Sequence, residues 1–290
     1  ISRWINIKMV IWIFLVKNQS KSNMKSEHSK QKPFILITND DSVDSPLLAI
    51  LIEALKFNND LLVVAPAEEQ SWKGKSMTRR GLIEKKEILI GNTSCWAVNG
   101  TPADCANIGL HNIAKKKPDF VVSGVNIGKN IGVGFSLASG TIGACIEANI
   151  SGVPAIALSQ EFFPEDFKHW DANRRFSENT QNTLLSRLKL SVNKVWDYLK
   201  DKDNTDPITW NVNFPKKYSS NATKDIEIKR TVLSNTYYDN CFKSHDDGFQ
   251  FALAKTRTEE NKNSDVFALE QGAVSISKID IRVLGQQLDC

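Results

Sequence analysis

Cysteine is scarce in this chain, and what there is has the wrong spacing for chemistry. The 290 residues contain five, Cys95, Cys105, Cys145, Cys241 and Cys290, an odd number with no CxxC pair. That excludes a disulfide framework and a cysteine zinc site, and suits reduced thiols in a cytoplasmic protein. The four histidines, His28, His111, His169 and His245, show neither HxH nor HExxH spacing, which excludes a histidine-based transition-metal centre. No charge of one sign dominates. Lys and Arg number 37 against 33 Asp and Glu, too small an imbalance for binding a nucleic acid polymer. Long apolar runs are also missing: Met9 to Val16, flanked by Lys8 and Lys17, reaches eight residues, whereas a membrane span needs about 20. No small-residue cleavage site follows it, as a signal peptide requires, and no membrane association is expected. Residues 1–32, with their Ser-, Lys-, Asn- and Gln-rich second half, read as a disordered or spurious N-terminal extension. The folded protein is expected over 33–290.

Within that region the chain is organised around Phe34-Ile-Leu-Ile-Thr38-Asn39-Asp40-Asp41. Its apolar start is that of a strand buried on both faces of a parallel sheet. Polar residues directly after such a strand sit at its carboxyl end, where open α/β sheets bind ligands. Two adjacent carboxylates repel each other unless a cation or hydrogen-bond donors offset the repulsion. A hard divalent cation such as Mg²⁺, which takes oxygen ligands, does so directly. Alternatively, Asp41 or Ser42 is the N-cap of the helix that begins near Pro46. The two readings are compatible.

Further α/β units follow. Pro46 to Leu55 reads as a helix and Leu61 to Ala65 as a second strand, making a βαβ unit. The loop from Pro66 to Thr78 carries Glu68, Glu69, Gln70, Ser71, Lys73 and Lys75. Glu84 to Ile90 and Cys95 to Val98 read as a hairpin or edge, and Ala103 to Ala114 as a helix entered at Thr101 or Pro102, with His111 on its surface. Phe120 to Gly124 is a third buried strand, leading into Val125-Asn126-Ile-Gly-Lys-Asn130-Ile-Gly-Val-Gly134. This loop is one residue short of a Walker A motif and has Asn130 in place of its Ser or Thr. It also fails to complete G-x-G-x-x-G, so neither a P-loop ATPase nor a dinucleotide dehydrogenase is indicated. Ser139-Gly140-Thr141 opens a helix, where a hydroxyl and free N–H groups form an anion site or simply a cap with Glu147 on the solvated face. Val153 to Leu158 is a strand. Arg175 to Leu199 reads as a helix with a core stripe of Phe176, Thr183, Leu184, Leu188, Val195, Trp196 and Leu199. Trp210 to Pro215 is another strand. Beyond Lys216, Ile226 to Leu233 alternates as an edge strand, Asn240 to Asn263 is polar and poorly periodic, and Asp265 to Leu269 and Gly272 to Val283 suggest a helix and a strand.

Assembled in order, Asn39-Asp40-Asp41, Val64-Ala-Pro66 with Gln70-Ser71, Gly100-Thr-Pro-Ala-Asp-Cys105, Ser123-Gly-Val-Asn126 with Gly128 and Asn130, Ser139-Gly-Thr141, Asn211-Val-Asn213 and Asp265 to Ser275 resemble the SurE family of survival-protein nucleotidases. The resemblance spans about Pro33 to Ile281. It implies a three-layer α/β/α, Rossmann-like core over about 33–215, with a mainly parallel sheet. A β-rich C-terminal extension over about 216–290 is implied to be exchanged between subunits of a homodimer or homotetramer. The implied activity is metal-dependent hydrolysis of nucleoside monophosphates. Carried over by position, Asp40, Asp41, Ser71 and Asn126 are the ligands of one divalent cation per subunit, Mg²⁺ or Mn²⁺. Asn39, Asn130, Ser139, Gly140 and Thr141 are the phosphate-binding groups, and Asp40 and Asp41 are the catalytic pair. The chain departs from the family's common pattern at Ser42, where glycine is usual, and at Pro46-Leu47, where Pro-Gly is usual. Ser42 calls for a different backbone angle. Trp72 and Lys73, beside Ser71, bear on access of the base or phosphate. Two alternatives remain open: a nucleotide-binding regulatory module without turnover, and a haloacid-dehalogenase-like phosphatase, whose D-x-D spacing Asn39-Asp40-Asp41 lacks.

Overall fold

The computed structural model describes residues 32–202, 206–219, 226–252 and 256–284, so the expected N-terminal extension falls almost entirely outside the described residues. One nine-stranded sheet organises the chain in the order β3-β4-β2-β1-β5-β6-β7-β13-β8. Its strands are β1 (Phe34–Thr38), β2 (Asp60–Pro66), β3 (Lys85–Ile90), β4 (Thr93–Val98), β5 (Phe120–Ile127), β6 (Ala155–Gln160), β7 (Thr209–Phe214), β8 (Ile228–Thr231) and β13 (Val274–Ile279). The six strands β4, β2, β1, β5, β6 and β7 run parallel, and β3 and β13 pair antiparallel with β4 and β7. β1 lies between β2 and β5, with Ile35 opposite Leu61 on one side and Phe120 on the other. The chain winds one way from β1 to β2 and the other way from β5 to β7, so the strand order reverses between β1 and β5. Such a switch point opens a crevice at the carboxyl ends of the two strands.

Helices cover both faces. On one, α1 (Pro46–Leu55) and α6 (Ser186–Leu199) bury Leu47, Leu51, Leu188, Val195 and Leu199 against Ile35, Val63 and Ile156. On the other, α2 (Pro102–Ile108) and α4 (Gly140–Ile150) bury Cys105, Ile142, Cys145 and Ala148 against Leu36, Val121 and Ala157. Each fully buried Leu or Ile here contributes roughly 1.5–3 kcal/mol. Thr101 caps α2 in a reciprocal capping box with Asp104, and the helix widens into a π-turn at Gly109–Ile113. Among the described residues no single helix is long and apolar enough to cross a membrane.

Several local expectations need correction. The N-cap of α1 is Ser45, not Asp41 or Ser42, because Asp41 is drawn to β5 instead. Ser42 adopts φ 75°, so the turn keeps the left-handed angle that favours glycine and the serine bears it. The expected helix over 175–199 starts later, at Glu178, and runs to Leu199 through a π-turn. Phe176 sits before a short helical turn at Glu178–Thr180 and a π-turn at Gln181–Leu185, and Thr183 is exposed. An unexpected helix, α5 (Pro164–Asn173), precedes them and buries only Trp170. Glu147 is buried rather than solvated, held by Lys75 at 2.6 Å and the Asn107 amide at 2.8 Å.

The C-terminal segment completes the main sheet through β13 and β8 and adds two small antiparallel pairs. These are β10 (Phe242–His245) with β11 (Gly248–Phe251), and β9 (Thr236–Tyr238) with β12 (Thr256–Thr258). Asp265, at the start of α7 (Asp265–Glu270), ties this segment to the core. Its buried carboxylate accepts Gly132 N at 2.8 Å, at the start of α3 (Gly132–Ala138), and Ser234 N at 2.9 Å. Removing the acceptor strands buried N–H groups, each at a cost of about 1–3 kcal/mol. Asp265→Ala should therefore lower unfolding stability by about 2–4 kcal/mol in a urea titration, and a loss within experimental error would contradict the bracing role.

Candidate active site

Hydrogen bonds from the start of α4 and from β5 meet the two carboxylates that follow β1. Asp40 is buried, and Asp41 beside it is half-buried. The Thr141 hydroxyl, in the first turn of α4, donates to Asp40 Oδ1 at 2.7 Å. The backbone N–H of Ile127, next to Asn126, donates to Asp41 Oδ2 at 2.7 Å. These hydrogen bonds engage Asp40 Oδ1 and Asp41 Oδ2, and the backbone N–H groups of Thr141 and Asp40 also favour the Asp40 carboxylate. Burial pushes the Asp40 carboxyl up to about 6 against the opposing pull of Thr141. Burial, followed by the charge of Asp40, pushes Asp41 well above the ordinary carboxylate range.

The loop after β2 closes the third side. Gln70 N donates to Asp40 O at 2.8 Å, bringing Ser71 to the pair. The Ser71 hydroxyl is exposed and donates to Glu69 Oε1 at 2.8 Å, while Arg174 holds Glu69 Oε2 at 3.1 Å. Glu69 also adds to the upward pull on both aspartates. On the fourth side, Asn126 donates from Nδ2 to Gly128 O at 2.8 Å, which leaves Oδ1 as its ligating atom. Asn130 donates from Nδ2 to Ser159 Oγ at 2.9 Å and to Thr141 Oγ1 at 3.3 Å. Both amide hydrogens are committed, so Asn130 fixes the position of Thr141. Its own carbonyl is gripped by Asn211 and Asn213 from β7. Ser139 caps α4 by accepting Ile142 N at 3.2 Å. Gly140 packs against Asp40 so closely that an added Cβ would lie 2.9 Å from Asp40 Cβ and 3.2 Å from Gln70 O.

Three features test whether these residues suit a hard cation. Two adjacent carboxylates follow β1. Asn39 Oδ1 is buried without a hydrogen-bond partner, while its Nδ2 donates to Ser42 O at 2.7 Å. The remaining donors are a hydroxyl and amide carbonyls, an all-oxygen set of the kind Mg²⁺ or Mn²⁺ prefers. Among the described residues no group of three or more His, Cys, Asp or Glu side chains is placed to hold a metal, so such a site relies on Ser71 and Asn126 as well. The residues fit.

The pattern of residue types does not by itself mark Glu69, Asn213 and Ser159 as parts of the site. Glu69 is one of several polar residues on an exposed loop, and the other two sit within strands, where polar side chains buried on both faces are the signal.

The sign of the pKa shifts sets a stability test. A carboxyl raised in the folded state binds its proton more tightly there than in the unfolded chain. It therefore costs stability as pH rises from about 4 through the folded value. For Asp40 the rise from 3.8 to about 6 corresponds to about 3 kcal/mol. Metal-stripped protein should melt at a lower temperature at pH 8 than at pH 5. Asp41→Asn, which keeps an oxygen for Ile127 N–H, should raise that pH 8 melting temperature. A Tm that is flat with pH and unmoved by the substitution would contradict the strained pair.

The sequence and the fold were compared with known proteins. The family model described as "Survival protein SurE" matches residues 35–240. The chain is 32% identical to the 5′-nucleotidase SurE of Methanopyrus kandleri over 263 residues, covering 87% of this chain and 92% of that protein. It is 36% identical to the 5′-nucleotidase SurE of Methanocella arvoryzae over 206 residues, 71% of this chain and 74% of the relative. The crystal structure of the Sure protein from Aquifex aeolicus superposes with a TM-score of 0.63 at 25% identity, covering 87% of this chain and 94% of that one. With a family model over most of its length and relatives this similar across most of theirs, the chain belongs to the SurE family.

Proposed function

We propose that this protein is a 5′-nucleotidase, a metal-dependent phosphomonoesterase that cleaves nucleoside monophosphates to nucleoside and phosphate. One observation carries the reading: a pair of adjacent carboxylates, Asp40 buried and Asp41 half-buried, is held by the first turn of α4 and by β5 at the switch point of the sheet. Asp40, Asp41, Ser71 and Asn126 would hold one divalent cation, Mg²⁺ or Mn²⁺. When bound, that cation supplies Lewis-acid polarisation of the phosphoryl group and lowers the pKa of water. Relatives named 5′-nucleotidase SurE support the substrate class.

The chain's own residues do the rest. The start of α4, with its free N–H groups and positive dipole end, receives the phosphoryl oxygens as Ser139 fixes the turn. Gly140 lets the first turn of α4 pack directly on Asp40 and the Gln70 carbonyl, because an added Cβ would lie 2.9 Å from Asp40 Cβ and 3.2 Å from Gln70 O. Thr141, oriented by Asn130, holds Asp40 Oδ1. The proton that the attacking water gives up passes to an oxygen of the carboxylate pair, the group placed to receive it, and on to the departing nucleoside oxygen. The nucleotidase is proposed to act in the cytoplasm as a homodimer or homotetramer, with the strands of the C-terminal segment as the assembling element.

Phosphate release from nucleoside 5′-monophosphates should stop in EDTA and return with Mg²⁺ or Mn²⁺. Asp41→Asn should cut kcat on the order of 100- to 1,000-fold or more. A folded protein that binds nucleotide but releases no phosphate with any divalent cation would establish the regulatory-module alternative. Gly140→Ala, whose Cβ would press on Asp40, should reduce kcat by at least about tenfold in a protein that still folds; full activity would show that the close packing of Gly140 on Asp40 is not needed.

A further inference from the structure

Beside Ser71 the chain places a tryptophan where the backbone resists one. Trp72 sits at φ 62°, a region that bulky side chains rarely enter and that persists only when the surroundings over-determine it. Here the surroundings are aromatic. Three rings meet the indole edge to face: Phe251 at 5.0 Å, Tyr238 at 5.2 Å and Phe135 at 6.0 Å between centroids. They come from α3 and from both small pairs of the C-terminal segment, and Phe135 and Tyr238 also contact each other at 5.5 Å. Even so gripped, Trp72 stays 40% exposed.

Its position is set by the catalytic crevice. Gln70 is hydrogen-bonded to the backbone of Asp40, and two residues of chain reach at most about 7 Å. Trp72 therefore stands two residues along the loop from Gln70, which is tied to Asp40, at the rim of that crevice, with part of its indole open to solvent. A rigid, part-exposed aromatic at that rim suits the π-face of a planar ring joined to the phosphate through a sugar. Resting on the nucleotidase reading, we infer that Trp72 is a specificity-determining residue, a stacking shelf for the nucleobase of the substrate. Because a stack recognises any base by its face, the shelf favours nucleotides over sugar phosphates without choosing among bases.

The test uses the full chain and a pair of hydrolysis-resistant ligands, a nucleoside 5′-phosphonate and the matching ribose phosphonate without a base, titrated calorimetrically with Mg²⁺ or Mn²⁺ present. The base should improve the affinity of the unaltered protein by about 5- to 150-fold. Trp72→Ala should erase most of that ratio and Trp72→Phe should keep most of it. An equal affinity for both ligands, an equal loss for both in Trp72→Ala, or binding of neither would overturn the shelf. Phosphate release measured alongside separates the two claims. Turnover with no base preference defeats the shelf and leaves the nucleotidase; a base preference that depends on Trp72, without turnover, does the reverse.

Discussion

Two neighbouring carboxylates held out of water are the constraint on which the rest of this structure depends. Asp40 and Asp41 follow a strand buried from Ile35 to Thr38, adjacent in the chain and with Asp40 out of solvent, so their charges are poorly screened. The protein answers with the Thr141 hydroxyl and nearby backbone N–H groups on Asp40, and the Ile127 N–H on Asp41. Burial raises the proton affinity of both groups, with the Asp40 charge adding to the shift of Asp41. A site left short of positive charge in this way is one prepared for a cation.

The surrounding architecture serves that arrangement. The switch point between β1 and β5 lets loops from both sides of the sheet meet at one place. Polar pairs deeper in the strands, Asn211 and Asn213 on β7 and Ser159 on β6, hold Asn130, and Asn130 in turn holds Thr141. Asp265 reaches from the C-terminal segment to Gly132, at the start of α3 in the same loop region. The C-terminal strands therefore help to set the crevice and its aromatic rim as well as extending the sheet.

Much of this was legible in the residues alone. Phe34 to Thr38 and Phe120 to Gly124 are apolar enough to demand burial on both faces, and the polar residues after them mark the ligand end of the sheet. The family resemblance then assigned roles that spacing could not. What stayed hidden has physical reasons. Asp265 and Gly132 are 133 residues apart, and nothing local signals their pairing. The β10–β11 hairpin leaves Phe242, Phe249 and Phe251 exposed, so no buried face gave its strands a readable period. Helix α5 buries one residue and carries no amphipathic stripe. Asp41 has the composition of a helix cap and is turned from that role only by a tertiary contact with β5.

The most direct test of the central claim is calorimetric titration of metal-stripped protein with Mn²⁺, comparing the unaltered chain with Asp41→Asn. One ion per chain, bound in competition with protons and lost or weakened at least about tenfold in the variant, is the result expected of a carboxylate pair that holds a cation. Binding of equal strength in both proteins would place the cation elsewhere and contradict the account.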